Sequence, residues 1–88
     1  MGNETYLNHP TFGLLFRVCS IEDNRELFTT LYAQRLFFLV KNQGSIAFEP
    51  LTRSDARMVV EGRMRQLRRQ GIREELHELQ RVHKQTFQ

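Results

Sequence analysis

The residues that could support catalysis or metal binding are few in this sequence. Its histidines are His9, His77 and His83, and its single cysteine is Cys19. His77 and His83 are six residues apart, which does not place them on one face of a helix. Glu74 and His77 have the spacing of a metal-ligand pair, but a helix rich in glutamate produces such a pair by coincidence. With no phosphate-binding glycine loop and no nucleophile elbow, we predict no enzyme activity, no catalytic residue and no metal.

A second chemically capable group is the set of arginines at positions 54–70. They are Arg57, Arg63, Arg65, Arg68 and Arg69. Arginines on one helix can contact the phosphates of DNA or RNA, but a helical hairpin would instead place three of them beside acidic residues of the next helix. The expected partners there are Arg65, Arg68 and Arg69 on one side and Glu74, Glu75 and Glu78 on the other. Because the net charge is only +3, we expect no direct DNA binding.

Three polar side chains interrupt the most apolar stretch of the sequence, LYAQRLFFLV at positions 31–40. Its aromatic and branched residues predict a buried strand at the centre of a small sheet. A strand selected only for burial would not be expected to carry the polar groups of Tyr32, Gln34 and Arg35. Tyr and Arg are, however, enriched at the energetic centres of protein interfaces. We therefore predict a partner-binding surface here. The alternative is that Gln34 and Arg35 only solvate the end of a hairpin.

Length and composition limit the class of protein. A chain of 88 residues forms one domain, or a small domain with an appendage, and is too small for a deep catalytic cleft. One cysteine permits no internal disulfide, which favours a reducing compartment. No apolar run approaches the roughly 20 residues needed to span a membrane, and the first residues lack the pattern of a signal peptide. We expect a cytoplasmic protein that does not associate with membranes.

The aromatic residues divide the sequence near Arg53. Eight of the nine precede this residue and only Phe87 follows it, which predicts a β-rich first part and a helical second part. Turns are predicted at 20–26 and 41–44. Four or five short strands separated in this way fit a strongly curved antiparallel sheet.

Two residues predict irregularities in the sheet. Apolar side chains alternate over positions 12–19, and Gly13 within this strand predicts a bend or a bulge. Pro50 is expected to end the last strand.

Apolar residues at helical spacing predict two helices, at about 54–70 and 73–87. Thr52 or Ser54 is expected to cap the first helix, and Gly71 to end it. The inner faces are predicted to carry Ala56, Val59 or Val60, Met64 and Leu67 in the first helix, and Ile72, Leu76, Leu79 and Val82 in the second. Because the second face has few large side chains, we hypothesise that this helix can swing away from the first.

Several long segments resemble the PipX family of small cyanobacterial regulators. They are YLNHPTFGLLFRVCS, ELFTTLYAQRLFFLV, FEPLTRSDARMVV, RQLRRQ and the terminal KQTFQ. The resemblance covers nearly the whole chain. It implies an α+β fold, with a strongly curved antiparallel Tudor-like (KOW-like) β-domain at 1–53 followed by a two-helix hairpin at 54–88.

The resemblance also implies a function. PipX proteins are non-enzymatic adaptors of nitrogen regulation that exchange between two protein partners. The PII signalling protein sequesters them when 2-oxoglutarate is scarce, and they act as co-activators of the transcription factor NtcA when it is abundant. 2-Oxoglutarate, ATP and ADP act on the partners, so the chain itself is expected to need no cofactor. We expect the free chain to be a monomer, and any contact with RNA polymerase to be indirect.

Carried over residue by residue, the family's partner contacts fall on ten positions. They are Glu4, Phe16, Asp23, Tyr32, Gln34, Arg35, Leu36, Phe38, Arg68 and Arg69. Tyr32 would be the central anchor and Arg35 a charged hydrogen-bond donor, with Arg68 and Arg69 as peripheral contacts to PII. The alternative function is a small basic β-domain that binds RNA or DNA through its arginine-rich helix.

Overall fold

The computed structural model of the protein describes residues 5–22, 24–31 and 36–87. Five strands come first: Tyr6–His9 (β1), Gly13–Glu22 (β2), Arg25–Thr30 (β3), Phe37–Asn42 (β4) and Ile46–Leu51 (β5). They form one antiparallel sheet in which each strand pairs with its neighbours in the chain. Two helices follow, Arg53–Gln70 (α1) and Arg73–Phe87 (α2). The predicted α+β fold, a curled Tudor-like sheet followed by a helical hairpin, is confirmed.

Both faces of the sheet are buried, each in its own hydrophobic core. The core on the helix side includes Leu27, Phe37 and Leu39 of the sheet, Ala56, Val60 and Leu67 of α1, and Leu79 and Phe87 of α2. The core on the opposite side consists of Leu15, Phe28, Phe38 and Val40, with Leu7 and Phe48 packed against it. Successive residues of β4 therefore point to alternate cores. Burial on both sides explains why this strand begins with an uninterrupted apolar run.

Capping residues set both ends of α1. Thr52 has an extended backbone, and its hydroxyl accepts a hydrogen bond of 3.0 Å from the Asp55 amide. Gly71 adopts a left-handed conformation with φ of 73°, and its amide donates to the Arg68 carbonyl. The Ile72 amide then donates to the carbonyl of Leu67 at 3.0 Å. The predicted cap and the predicted end of this helix are confirmed.

The prediction of one strand over 31–40 is wrong. β3 ends at Thr30 and β4 begins at Phe37, and these strands pair antiparallel with Thr29 opposite Phe37. The Thr30 amide donates to the Leu36 carbonyl at 3.1 Å. Since antiparallel neighbours need a reversal of the chain between them, the stretch cannot be one strand, and only residues 37–40 of it belong to β4.

The irregularities of β2 differ from those predicted. Gly13 has a positive φ of 80° but begins the strand and pairs in register with β1. A register shift lies instead between Arg17 and Cys19. Both Val18 and Cys19 consequently pack against the helix-side core, which strict alternation would not allow.

Two predicted strand ends also need correction. β2 continues to Glu22 and β3 begins at Arg25, so the predicted turn at 20–26 is too long. Ser20, Arg25 and Glu26 of this segment belong to the paired strands. Pro50 does not end β5 but pairs with Phe38. This is possible because β5 is an edge strand, where one side of the backbone needs no ladder partner.

The buried residues of α2, Leu79 and Phe87, belong to the core that this helix shares with α1 and the sheet. The Phe87 ring stacks on the ring of Phe37, with centroids 5.6 Å apart. Ile72, predicted on the inner face, is 40 % exposed because it lies in the turn before the helix. Within the described residues, neither helix has the length and apolar composition needed to cross a membrane.

Candidate partner-binding surface

The structure places five of the ten predicted contact residues. These are Phe16, Leu36, Phe38, Arg68 and Arg69. The other five, Glu4, Asp23, Tyr32, Gln34 and Arg35, lie outside the described residues. Predictions for these five positions stay predictions.

Thr29 lies between Phe16 on one side and the backbone of Leu36 on the other. Phe16 on β2 lies opposite Thr29 on β3, which lies opposite Phe37 on β4. The Thr29 hydroxyl donates to the Leu36 carbonyl at 2.8 Å, and the Thr30 amide donates to the same oxygen. The backbone at Leu36 is therefore fixed beside the sheet. The Phe16 and Leu36 residues are 39 % and 38 % exposed, so both present apolar area to solvent.

Tyr6 extends this area along the sheet. It pairs with Phe16 across β1 and β2, and the two rings lie 5.9 Å apart between centroids. Tyr6 is also exposed. We call Tyr6 and Phe16 the exposed apolar surface. Both belong to paired strands, β1 and β2, so a rigid ladder of hydrogen bonds holds them. Leu36 precedes Phe37, whose side chain lies in the helix-side core, so strand alternation directs the Leu36 side chain to the opposite face.

Phe38 lies on the other face of the sheet. It is 3 % exposed and packs in the core opposite the helices. Its ring contacts those of His9, Phe12 and Phe48, with centroid distances of 4.9, 5.7 and 6.3 Å. In this structure Phe38 supports the sheet and does not join the exposed apolar surface. A direct contact between Phe38 and a partner stays a prediction.

His9 has a structural role within the same aromatic cluster. Its Nδ1 atom accepts hydrogen bonds from the backbone amides of Thr11 and Phe12, at 3.0 and 3.2 Å. In a neutral ring that accepts at Nδ1, the proton is on Nε2. His9 thereby holds the tight connection between β1 and β2 in place.

Arg68 and Arg69 lie exposed in the last turn of α1. There, positive charge complements the helix dipole. Neither forms an ion pair with any residue that the structure describes. The structure does not bring them into contact with the exposed apolar surface.

The ion pair that joins the two helices was assigned to the wrong arginines. The predicted partners of the acidic residues were Arg65, Arg68 and Arg69, but the observed bridge joins Arg63 and Glu75 at 3.1 Å. Arg63 lies one turn before the buried Leu67 and therefore on the same face of α1. Of the other two predicted acidic partners, Glu74 and Glu78, the second pairs with Arg81 within α2.

A second polar contact between the helices centres on Glu61. One oxygen of its carboxylate lies 2.9 Å from His83 Nε2 of α2 and 3.0 Å from Arg57 Nε of α1. The hydrogen bond from His83, followed by that from Arg57, lowers the pKa of Glu61 below its ordinary value. Sequence reasoning did not anticipate this contact because Glu61 and His83 are 22 positions apart in the chain.

Cys19 is not suited to nucleophilic chemistry. Burial raises the pKa of its thiol from 9.0 to about 12, although Arg63 and Arg17 oppose the shift. A thiol with this pKa is almost wholly protonated at neutral pH, and the thiolate is the reactive form. Among the described residues, no group of three or more His, Cys, Asp or Glu side chains could hold a metal ion.

The described part of the chain thus offers an exposed apolar surface on a rigid sheet. The family model for PipX, PII-interacting protein X, matches residues 3–87 of the 88 residues. The chain belongs to the PipX family. Comparison with curated proteins gave no match. Membership confirms the resemblance found in the sequence and supports PII as a protein partner.

In this PipX family member, sequence reasoning found Phe16 but not Tyr6 of the exposed apolar surface. Tyr6 was missed because only the pairing register of β1 and β2 places it beside Phe16. A weak signal was present, since Tyr6 begins a short alternating segment that ends before Pro10. Arg53 was also missed as a functional candidate. It lies at the start of α1, and its guanidinium lies 5.6 Å from the centroid of the Phe87 ring.

Proposed function

We propose that this chain is a non-enzymatic adaptor that PII sequesters at low 2-oxoglutarate and that co-activates NtcA at high 2-oxoglutarate. The observation that carries the proposal is the PipX family match over residues 3–87, which supports the interaction with PII. The NtcA interaction and the role of 2-oxoglutarate rest on the resemblance to PipX proteins. The chain would act in the cytoplasm as a monomer when free, and any contact with RNA polymerase would be indirect.

The proposed mechanism is competition for one surface. If both partners use the area around Tyr32, Gln34 and Leu36, their binding is mutually exclusive. 2-Oxoglutarate, ATP and ADP then bind the partners and change their affinities, so this chain needs no cofactor of its own. A tenfold loss of PII affinity corresponds to about 1.4 kcal/mol, and it shifts the competition towards the other partner by the same factor.

The exposed side chains of Phe16 and Leu36 support this mechanism. Phe16 is held by strand pairing, and the Leu36 carbonyl accepts hydrogen bonds from both Thr29 and Thr30. A partner can therefore bury these side chains without first ordering their backbone, which lowers the entropic cost of association.

Calorimetric titration of the full chain against PII and NtcA tests the proposal. We expect PII binding to weaken when 2-oxoglutarate and ATP are both added, compared with ADP alone, and NtcA binding to strengthen with 2-oxoglutarate. Failure of the chain to bind either protein would overturn the adaptor function.

Two substitutions and a matched control locate the surface. We expect Tyr32→Ala and Leu36→Ala to weaken binding to both partners about tenfold or more while the fold is retained. Ile46→Ala removes a similarly exposed aliphatic side chain at the far end of the last hairpin and is expected to change affinity less than about twofold. Equal effects of Leu36→Ala and Ile46→Ala would contradict the assignment of the surface.

One observation favours nucleic-acid binding as a second candidate. Arg65, Arg68 and Arg69 are exposed, and none forms an ion pair within the described part of the chain. Phosphate contacts make log affinity fall steeply with log salt concentration, whereas an interface centred on apolar side chains changes less. Steeply salt-dependent binding to RNA or DNA, without binding to PII or NtcA, would establish this alternative.

A further inference from the structure

An open groove of about 740 Å³ lies between the sheet and α2. Its sheet side includes Tyr6, Phe16 and Thr29, and its helix side includes Glu78 and Arg81. The volume lies within the range of about 300–1,000 Å³ that is common for ligand sites. α2 is one of its walls, so the groove exists only while this helix is docked on the sheet.

Among the described residues that line the groove, positive charge exceeds negative charge. The charged ones are Arg17, Arg53, Arg81 and Glu78. Arg81 pairs with Glu78 inside the lining, and Arg17 pairs with Glu26 at 3.0 Å outside it. Arg53 forms no ion pair with any described residue and is the uncompensated cation.

The guanidinium of Arg53 keeps donors available for a ligand. One nitrogen donates to the Thr86 carbonyl at 3.1 Å, and the planar group lies 5.6 Å from the centroid of the Phe87 ring. A guanidinium has five N–H donors, and a carboxylate can accept two of them in parallel. Arg53 is thus held in place by α2 while part of its hydrogen-bonding capacity is unused.

Aromatic side chains supply apolar area in the same groove. Tyr6 and Phe16 form an exposed ring pair on the sheet side. Buried Phe37 also lines the groove. An occupant that satisfies both the cation and the aromatic pair must carry a carboxylate and an apolar side chain close together.

We propose that this groove binds an acidic segment of a protein partner. A carboxylate of the segment binds the guanidinium of Arg53, and an apolar side chain of the segment packs against Tyr6 and Phe16. This inference rests on the proposed function, because the partner supplies the segment. It adds a contact area that involves α2 and, apart from Phe16, lies beyond the ten predicted contact residues. Occupation of the groove would also hold α2 on the sheet.

A peptide probe tests the groove independently of any particular partner. The isotopically labelled full chain is titrated with a capped decapeptide of alternating Glu and Leu, and separately with one of alternating Lys and Leu. We expect the Glu–Leu peptide to shift the amide signals of Phe16 and Thr29 and the Nε–H signal of Arg53. Arg53→Gln should weaken this binding about tenfold or more. The matched control Arg65→Gln, an exposed arginine outside the groove, should change it less than about twofold.

A second variant separates loss of the site from loosening of α2. Arg53→Gln also removes the contacts of Arg53 with Thr86 and Phe87. Tyr6→Ser leaves those contacts unchanged and should weaken the Glu–Leu peptide about fivefold or more. If neither variant weakens the peptide, or if the Lys–Leu peptide binds equally well, the proposal is overturned. Binding of a thymidine decanucleotide but not of the Glu–Leu peptide would assign the groove to nucleic acid and would also overturn it.

Titration with PII distinguishes this inference from the proposed function. A weakening of PII binding by about tenfold in Arg53→Gln, with Arg65→Gln unchanged, supports the groove as part of the interface. If the wild-type chain binds PII and neither Arg53→Gln nor Tyr6→Ser weakens this binding, only the groove inference is overturned. A wild-type chain that binds the peptide but neither PII nor NtcA overturns the proposed function and supports the acidic-segment site.

Discussion

Truncation of Phe87 should release α2 from the sheet. The Phe87 residue is 6 % exposed and stacks on Phe37, and it also contacts the His83 ring and the Arg53 guanidinium. Removal of a buried phenylalanine side chain usually costs about 3–5 kcal/mol. The site is at the end of the last helix, where the neighbouring chain can partly collapse, so we expect about 3 kcal/mol for Phe87→Ala. This cost should fall on the docking of α2, because the opposite core of the sheet does not include Phe87.

Hydrogen exchange and urea unfolding measure this effect together. We expect residues 76–82 to lose amide protection in Phe87→Ala while β3 and β4 stay protected. The control is Met58→Ala, which removes a large apolar side chain that is 65 % exposed on α1 and should change stability by less than about 0.5 kcal/mol. A cost below about 1 kcal/mol for Phe87→Ala, or unchanged protection of α2, would refute the conclusion that Phe87 anchors the helix.

Three further predictions follow from single positions. Gly71→Ala should destabilise the protein by about 1–2 kcal/mol in urea unfolding because φ of Gly71 is 73°. Gly62→Ala inside α1 should be neutral or stabilising by up to about 1 kcal/mol. Destabilisation by both substitutions would contradict this prediction. Cys19 should resist alkylation by iodoacetamide at pH 8 until denaturant is added. The free energy of unfolding should fall as pH rises from 9.0 towards about 12, because in this range the thiol ionises only in the unfolded chain. The hydrogen bonds that lower the pKa of Glu61 stabilise the folded state at pH values above 4.5, the ordinary pKa of this group. This stabilisation is lost as pH falls through the folded-state pKa. Glu61→Gln should therefore be less stable than wild type at pH 7 but not at about pH 3, and an equal difference at both pH values would refute the assignment.

The fold was accessible from the sequence because its strongest signals are local. Thr52 and Gly71 specify the ends of α1 through hydrogen bonds to residues no more than four positions away. The apolar stripe on this helix, including Ala56, Val60 and Leu67, faces the core as its period indicates. Long apolar runs are ambiguous by comparison. The run at 31–40 begins after the end of β3 and includes the start of β4, and its composition does not mark where β4 begins.

The candidate site was only partly accessible because register decides it. Phe16 was named through family resemblance, but its pairing with Tyr6 across β1 and β2 is visible only in the fold. The groove depends on Arg53, which meets the last residues of α2 33 positions away. Periodicity within one element carries no information about contacts at such separations.

The docking of α2 links the proposed groove to partner exchange. The polar contacts that join α2 to α1 are partly exposed, and such pairs contribute only about 0–1 kcal/mol each. Docking therefore depends mainly on the burial of Leu79 and Phe87, which makes α2 the element most easily displaced. A partner segment in the groove binds only the docked form, so it should stabilise that form by RT ln(1 + [L]/Kd) and raise amide protection in residues 76–82. A partner that instead selects the displaced helix should lower this protection on binding, because the groove is lost when its helix wall moves.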